Sequence, residues 1–383
     1  MNHEIHESYK KISEEIKSII SQARSLTVRS VNALQVTSNY LIGQRIVEFE
    51  QGGSKRAEYG KSLLKELSNE LTSEFGRGYS HRNLDLMKIF YLTYKKKGIS
   101  QTVSAKLVSD SSVEKSETLS GILRPERNFQ DINALKIAQT LSAEFSLSWS
   151  HYVFLMAIKN PDERLFYEME SINENWSLRE LKRQFNVSLY ERLALSRDKG
   201  DVKKLSQVGQ LITKPRDVIK NPYVLEFLGL DEKSKYSESD LETAIIDKLE
   251  HFLLELGKGF LFEARQKRFT FDEEHYFVDL VFYNRLLRCY TIIDLKIGEL
   301  THQNLGQMQM YVNYYDRHVK LEDENPTIGI ILCKKNKGSL VEITLPKDTN
   351  IHASEYQLYL PSKEALKKQL EEAQQEWETY QEK

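Results

Sequence analysis

Two apolar runs, FVDLVFY at 277–283 and CYTIIDLK at 289–296, carry charges where a sheet interior should have none. Both read as strands, and the short intervening loop makes them an antiparallel hairpin. Pairing Asn284 with Cys289 across a four-residue loop sets Leu280 opposite Ile293 and Asp279 opposite Asp294. Opposed residues hold their Cβ atoms about 4.5–5.5 Å apart, and like charges there repel. A positive group should answer them. Lys296 lies two residues beyond Asp294, so the period of a strand puts it on the same face. Leu280, Phe282, Ile293, Leu295 and Ile297 fill the other face, while Val281, Tyr283, Tyr290 and Ile292 surround the charges. With both faces apolar, burying these groups unpaired costs on the order of several kcal/mol, so they must pair or coordinate. A buried Asp–Lys pair with the second acid at a solvated rim is one solution. Coordination is the other: paired carboxylates suit the hard ions Mg²⁺ and Mn²⁺, which lower the pKa of bound water and stabilise charge on a phosphate. Lys296 would then orient the attacking water, and phosphodiester hydrolysis is the natural reaction.

The surroundings of this hairpin read as an α+β domain over 222–361. A helix from about Asp240 to Leu256 is predicted, capped by Ser239 with Glu242 at the third position, its stripe Ile245, Ile246, Leu249, Phe252, Leu253 and Leu256. Strands follow at 260–271, 275–283 and 288–297, then a helix at 301–315 and strands at 327–333 and 340–345. The order αβββαβ combines an antiparallel hairpin region with a helical crossover, hence a mixed sheet. Lys-Pro at 214 and Asn-Pro at 221 mark a linker before it. The tail, 362–383, is a charged helix suited to the periphery or to a contact between copies of the chain.

Upstream, the apolar period is helical and the whole N-terminal region is expected to be all-α. Residues 1–97 form one block, 98–128 a Ser/Thr-rich flexible insertion, and 129–213 a second helical block. In the second block Trp149, Phe154, Leu155, Phe166, Tyr167, Trp176, Leu181 and Phe185 are the expected core, and Ser177 with Glu180 forms a capping box. In the first, helices at 61–75 and 81–94 flank the turn Gly76–Ser80, the outline of a helix-turn-helix. With Ser80 as cap, His81, Arg82 and Asn83 sit where recognition helices meet a groove, and Arg82 and Lys88 are candidate nucleic-acid contacts. An ordinary helical hairpin would show the same pattern.

The length of 383 residues suggests two or three domains, and 40% hydrophobic content gives each a core. Since 54 basic and 56 acidic residues nearly cancel, any nucleic-acid surface must come from local charge. Cys289 and Cys333, each in a strand-like run, are expected as buried thiols, with neither a disulfide framework nor a zinc site. The polar start MNHEIHESYKK and the absence of an apolar run of roughly 18 residues lead to the expectation of a cytoplasmic chain with no membrane contact.

VDLVFYNRLLRCYTIIDLKIGEL, GQMQMYVNYYD and NPTIGIILCK resemble the YhcG-like bacterial PD-(D/E)xK nucleases, as do FLLELGKGF, WSLRELKRQ and RAEYGKSLL upstream. The resemblance covers most of the chain outside 98–128. It implies a helical N-terminal region that binds DNA and a restriction-endonuclease-like core whose acids and lysine fall on Asp279, Asp294 and Lys296. Val278 stands where the motif has proline, and Asp294 replaces the commoner glutamate. The resemblance also implies an acid from the first helix, for which Glu242, Glu250 and Glu255 compete; the cap assigned to Glu242 leaves Glu250 and Glu255 as the metal-ligand candidates. Gln307, with Gln303 a turn earlier, resembles the glutamine such enzymes place near metal or phosphate. On the first strand Arg265, Gln266, Lys267 and Arg268 offer donors to phosphate, of which Arg265 and Gln266 are the chosen nucleic-acid contacts. His275, His302 and His318 lack ligand spacing. A metal-dependent DNA endonuclease is thus the leading expectation; the competing one is a nucleic-acid-binding or assembly protein with a vestigial core, and RNA cleavage ranks below DNA for want of a stacking motif.

Overall fold

The computed structural model describes residues 30–51, 54–95, 145–197, 199–230, 236–335, 338–346 and 349–381. The insertion expected at 98–128 lies outside them. By contacts the chain divides into two units, Met1–Arg164 with Glu174–Leu178, and Leu165–Asn173 with Arg179–Lys383. The linker at 214–221 falls inside the second unit. Among the described residues no helix is long and apolar enough to cross a membrane.

The first unit contains helix α1 (30–50), α2 (Ser54–Phe75), α3 (His81–Tyr94) and α4 (Trp149–Met156). A one-turn helix, Arg77–Tyr79, joins α2 to α3, and Ser80 caps α3 by accepting from Asn83 N–H at 3.4 Å. The core is aromatic: Phe90 packs against Tyr40, Tyr94, Phe145, Trp149 and Tyr152 with ring centroids 4.9–5.9 Å apart. Asn83 braces this arrangement, donating to Gly78 O and accepting from Trp149 Nε1 at 2.9 Å.

Helix α5 (Pro161–Asn173) runs from one unit into the other, and α6 (Leu178–Asn186), α7 (Leu189–Leu195) and α8 (Lys199–Val208) follow. Glu180 bonds Arg183 and Gln184. Then come β1 (Tyr223–Val224), α9 (Glu238–Asp247), α10 (Leu249–Leu256), β2 (Phe260–Phe271), β3 (Glu274–Asn284), β4 (Cys289–Glu299), α11 (His302–His318), β5 (Ile328–Lys335), α12 (Gly338–Thr344), β6 (Ile351–Gln357) and α13 (Lys363–Gln381). The order αβββαβ is present. The six strands form one mixed sheet, β1-β6-β5-β4-β3-β2, antiparallel at β2–β3–β4 and parallel from β4 to β1.

Three details differ from the sequence reading. The helix start is capped by Ser237 with Asp240, two residues before the expected Ser239, and a kink at Lys248 divides α9 from α10. Residues 340–344 lie in α12 rather than a strand, and Leu340, Val341 and, just past its end, Leu345 pack on the core. The strand in that layer is β6, IHASEYQ, whose buried Ile351, Ser354 and Tyr356 alternate too weakly to announce it. The two-faced hairpin is as read: Leu280, Phe282, Ile293 and Leu295 pack with α9 and α10, while Val281 and Ile292 pack with Leu305, Met308 and Tyr311 of α11. Cys289 and Cys333 are buried free thiols.

Candidate active site

The β3–β4 ladder runs from Asn284↔Cys289 to Leu280↔Ile293 and stops one step short of Asp279 and Asp294. Asn284 fixes the register, because its Oδ1 accepts from Leu286 and Leu287 N–H and its Nδ2 donates to Lys258 O. Where the ladder stops, a side chain takes over: Asp279 Oδ2 accepts from Leu295 N–H at 2.9 Å. Strand β4 continues alongside β5, with Asp294 paired to Ile331 and Lys296 to Cys333. The acids therefore sit where two strands part.

Strand β2 is irregular at the same level. Gln266 lies between the ladder pairs Arg265↔Leu280 and Lys267↔Val278, with φ at +46°. A left-handed non-glycine residue costs about 1–3 kcal/mol and persists only when its neighbours hold it. Face alternation slips here: Val278 and Val281, three residues apart, share one core, while Leu280 joins the other. Gln266 Nε2 donates to Asp279 Oδ1 at 3.0 Å and to Glu242 Oε2 at 2.5 Å. Arg265 Nε takes the other oxygen of Glu242 at 2.5 Å, and its Nη2 reaches Thr243 Oγ1. Arg265 and Gln266, both exposed, thus bond acids, with Glu242 freed by the earlier cap and buried beneath them.

Asp294 is 2% exposed. Burial pushes its carboxyl up to about 7 against the pull of Lys296, with Asp279 adding to the rise. Lys296 Nζ lies 2.9 Å from Asp294 Oδ2 and 3.6 Å from Glu238 Oε2. Burial pulls the Lys296 ammonium down, but Asp294 and the other acids outweigh it and the net shift is upward. Gln307 connects through a relay: its Nε2 donates to Tyr311 OH at 2.6 Å, and Tyr311 OH donates to Phe277 O at 2.9 Å. Burial raises the Tyr311 hydroxyl, and Asp294 and Asp279 raise it further. Sequence reasoning passed over Tyr311, although four residues after Gln307 is the same helix face.

Asp279, Asp294 and Lys296 are therefore brought together. Glu250 and Glu255 are not: Glu250 is exposed on α10, and Glu255 is held by the buried Arg192 and by Val224 N–H. The helix acid that reaches the strands is Glu242. Lys267 meets Glu263 and Arg268 meets His275, while His302 and His318 are exposed. In the first unit Arg82 is exposed, but Lys88 is half-buried in an ion pair with Glu50 at 2.7 Å.

Around the parted strands stand four carboxylates, Glu238, Glu242, Asp279 and Asp294, against two cations, Arg265 and Lys296. With Asp294 ionised these leave two negative charges unbalanced, and burial disfavours that ionisation unless a positive group answers it, which fits a hard divalent cation. Asp279 and Asp294 would hold it. Among the described residues no three His, Cys, Asp or Glu side chains converge on one point, because Gln266 stands between Glu242 and Asp279.

Residues 216–371 match the YhcG PDDEXK nuclease domain, and residues 15–114 and 120–192 match the DUF1016 N-terminal domain. An Escherichia coli (strain K12) protein named "Putative nuclease YhcG" is 43% identical over 364 residues, covering 94% of this chain and 93% of its own. Two solved structures are also similar. A repair endonuclease from Pyrococcus abyssi is 16% identical with a TM-score of 0.23, over 34% of this chain and 50% of that one. An EndoMS–dsDNA2 complex is 13% identical with a TM-score of 0.23, over 35% and 51%. At those scores neither likeness carries an argument.

Proposed function

The chain belongs to the family of YhcG PDDEXK nucleases, and from that membership we propose that it is a divalent-metal-dependent endonuclease acting on DNA. The observation that carries this reading is the meeting of Asp279 and Asp294 where β3 and β4 part, with Lys296 at 2.9 Å from Asp294. A bound Mg²⁺ or Mn²⁺ would supply Lewis-acid stabilisation of the phosphate and a more acidic water.

The chain's own residues supply the rest. Asp279 is fixed at both oxygens, by Leu295 N–H and by Gln266, so its carboxylate is presented in one orientation without rearrangement. Asp294 offers a largely dehydrated oxygen whose charge is favoured only beside a positive group. Lys296 keeps its proton next to that oxygen and can orient a water toward phosphorus. The Gln307–Tyr311 pair anchors α11 to the Phe277 carbonyl, two residues from Asp279.

The test is incubation of the purified full-length chain with supercoiled, linear, branched and single-stranded DNA, and with RNA, in Mg²⁺ or in EDTA. Nicking of closed circular DNA in Mg²⁺ alone, abolished by Asp294→Ala and by Lys296→Ala, is the expected result. Equal cleavage by either variant would remove these residues from the site, and cleavage of RNA only would overturn the substrate.

A further inference from the structure

We propose that Gln266 is a positioning residue of this centre, its left-handed backbone placing a neutral amide between Glu242 and Asp279 so that both carboxylates are locked. The proposal rests on the nuclease reading of the site. It starts from the backbone: φ at +46° is unfavourable for glutamine, and the regular β2–β3 ladder resumes on either side. The ladder keeps one register across Gln266, its shift falling earlier, between Phe262 and Ala264, and what Gln266 gains is two hydrogen bonds, to Glu242 Oε2 at 2.5 Å and Asp279 Oδ1 at 3.0 Å.

The amide NH₂ only donates, so both oxygens facing it are held as acceptors. Asp279 has its second oxygen bound by Leu295 N–H, and Glu242 has its second bound by Arg265. Each carboxylate is consequently fixed at both ends, which removes its torsional freedom. A neutral donor is what this position requires. Lysine or arginine here would oppose an incoming cation, and glutamate would add a third repelling charge. Glutamine orients the acids while leaving their charge unneutralised.

Full-length wild type, Gln266→Gly and Gln266→Ala separate this role from a merely structural one. Glycine relieves the backbone strain but deletes the amide; alanine deletes the amide and keeps the strain. Both variants lose the same two hydrogen bonds, so thermal unfolding without metal should be higher for Gln266→Gly than for Gln266→Ala by about 2–4 °C. Both variants should lose kcat by about tenfold to a hundredfold with KM for DNA little changed, and Mn²⁺ affinity by calorimetry should weaken in both. An equal loss of kcat in two variants of different stability cannot be explained by unfolding. Wild-type kcat and Mn²⁺ affinity in both variants would overturn the proposal while leaving the nuclease reading intact. A loss confined to KM would overturn it too, since Gln266 would then be touching substrate. If the wild type cleaves nothing yet Mn²⁺ affinity falls in both variants, the positioning role stands and the nuclease reading fails.

Discussion

A carboxyl pushed up to about 7 by burial keeps its proton through a range in which an exposed aspartate has lost it, so Asp294 ties stability to pH. Between about pH 4 and pH 7 the folded chain binds more protons at this group than the unfolded chain does. Stability contributed by Asp294 is accordingly present below the unfolded pKa and is lost as pH rises through the folded one. Each unit of displacement corresponds to about 1.4 kcal/mol. Asp294→Asn removes the titration, and Lys296 retains Glu238 as a partner at 3.6 Å. Urea unfolding without metal should show the wild type losing stability from about pH 4 to about pH 7, with the variant flatter and more stable at the upper end. Parallel profiles would place the Asp294 proton elsewhere. Saturating Mg²⁺ should reverse the order at neutral pH, because a cation stabilises only the chain that can bind it.

Helix α11, which bonds the Phe277 carbonyl two residues from Asp279, is seated by a glycine. On β5, a Cβ at Gly329 would come within 2.7 Å of Met308 Cγ and Sδ and 3.0 Å of Val312 Cγ2. Met308 can bend away, but a β-branched valine on a helix cannot, so α11 must move. Gly329→Ala should cost about 1–3 kcal/mol in denaturant unfolding and reduce kcat, since Gln307 and Tyr311 move with the helix. Unchanged kcat despite lost stability would detach that relay from the chemistry. Element by element, legibility follows how local the cause is. The hairpin register could be read because Asn284, its loop and five successive pairs agree. The left-handed backbone at Gln266 could not, because the acids its side chain bonds, Glu242 and Asp279, are distant in sequence. The cap was misread for a related reason: SESD and SDLE offer two capping boxes two residues apart, and only the burial of Glu242 beneath Arg265 decides between them. Strand β6 carries too few apolar residues to be seen before β5 lies beside it.

At the scale of the whole molecule, acidic and basic residues nearly cancel, so the proposed DNA binding would have to come from particular cations and can be assigned by removing them one at a time. The α2–α3 pair supplies two that differ in kind. Arg82 is exposed at the Ser80-capped start of α3, whereas Lys88 spends its charge on Glu50 at 2.7 Å in a half-buried pair. If α3 meets the phosphate backbone, each contact releases counterions and contributes about 1 to the slope of log affinity against log salt. In an Asp294→Asn background without Mg²⁺, so that cleavage does not intrude, Arg82→Ala should weaken binding and flatten that slope by about 1. Lys88→Ala should leave the slope unchanged and lower the thermal midpoint instead, because it strands Glu50 without its partner. Affinity measured at several salt concentrations for both variants separates the two roles. A slope unaltered by Arg82→Ala would mean that α3 carries no phosphate contact at this position, and DNA binding would then belong to the parted strands of the second unit.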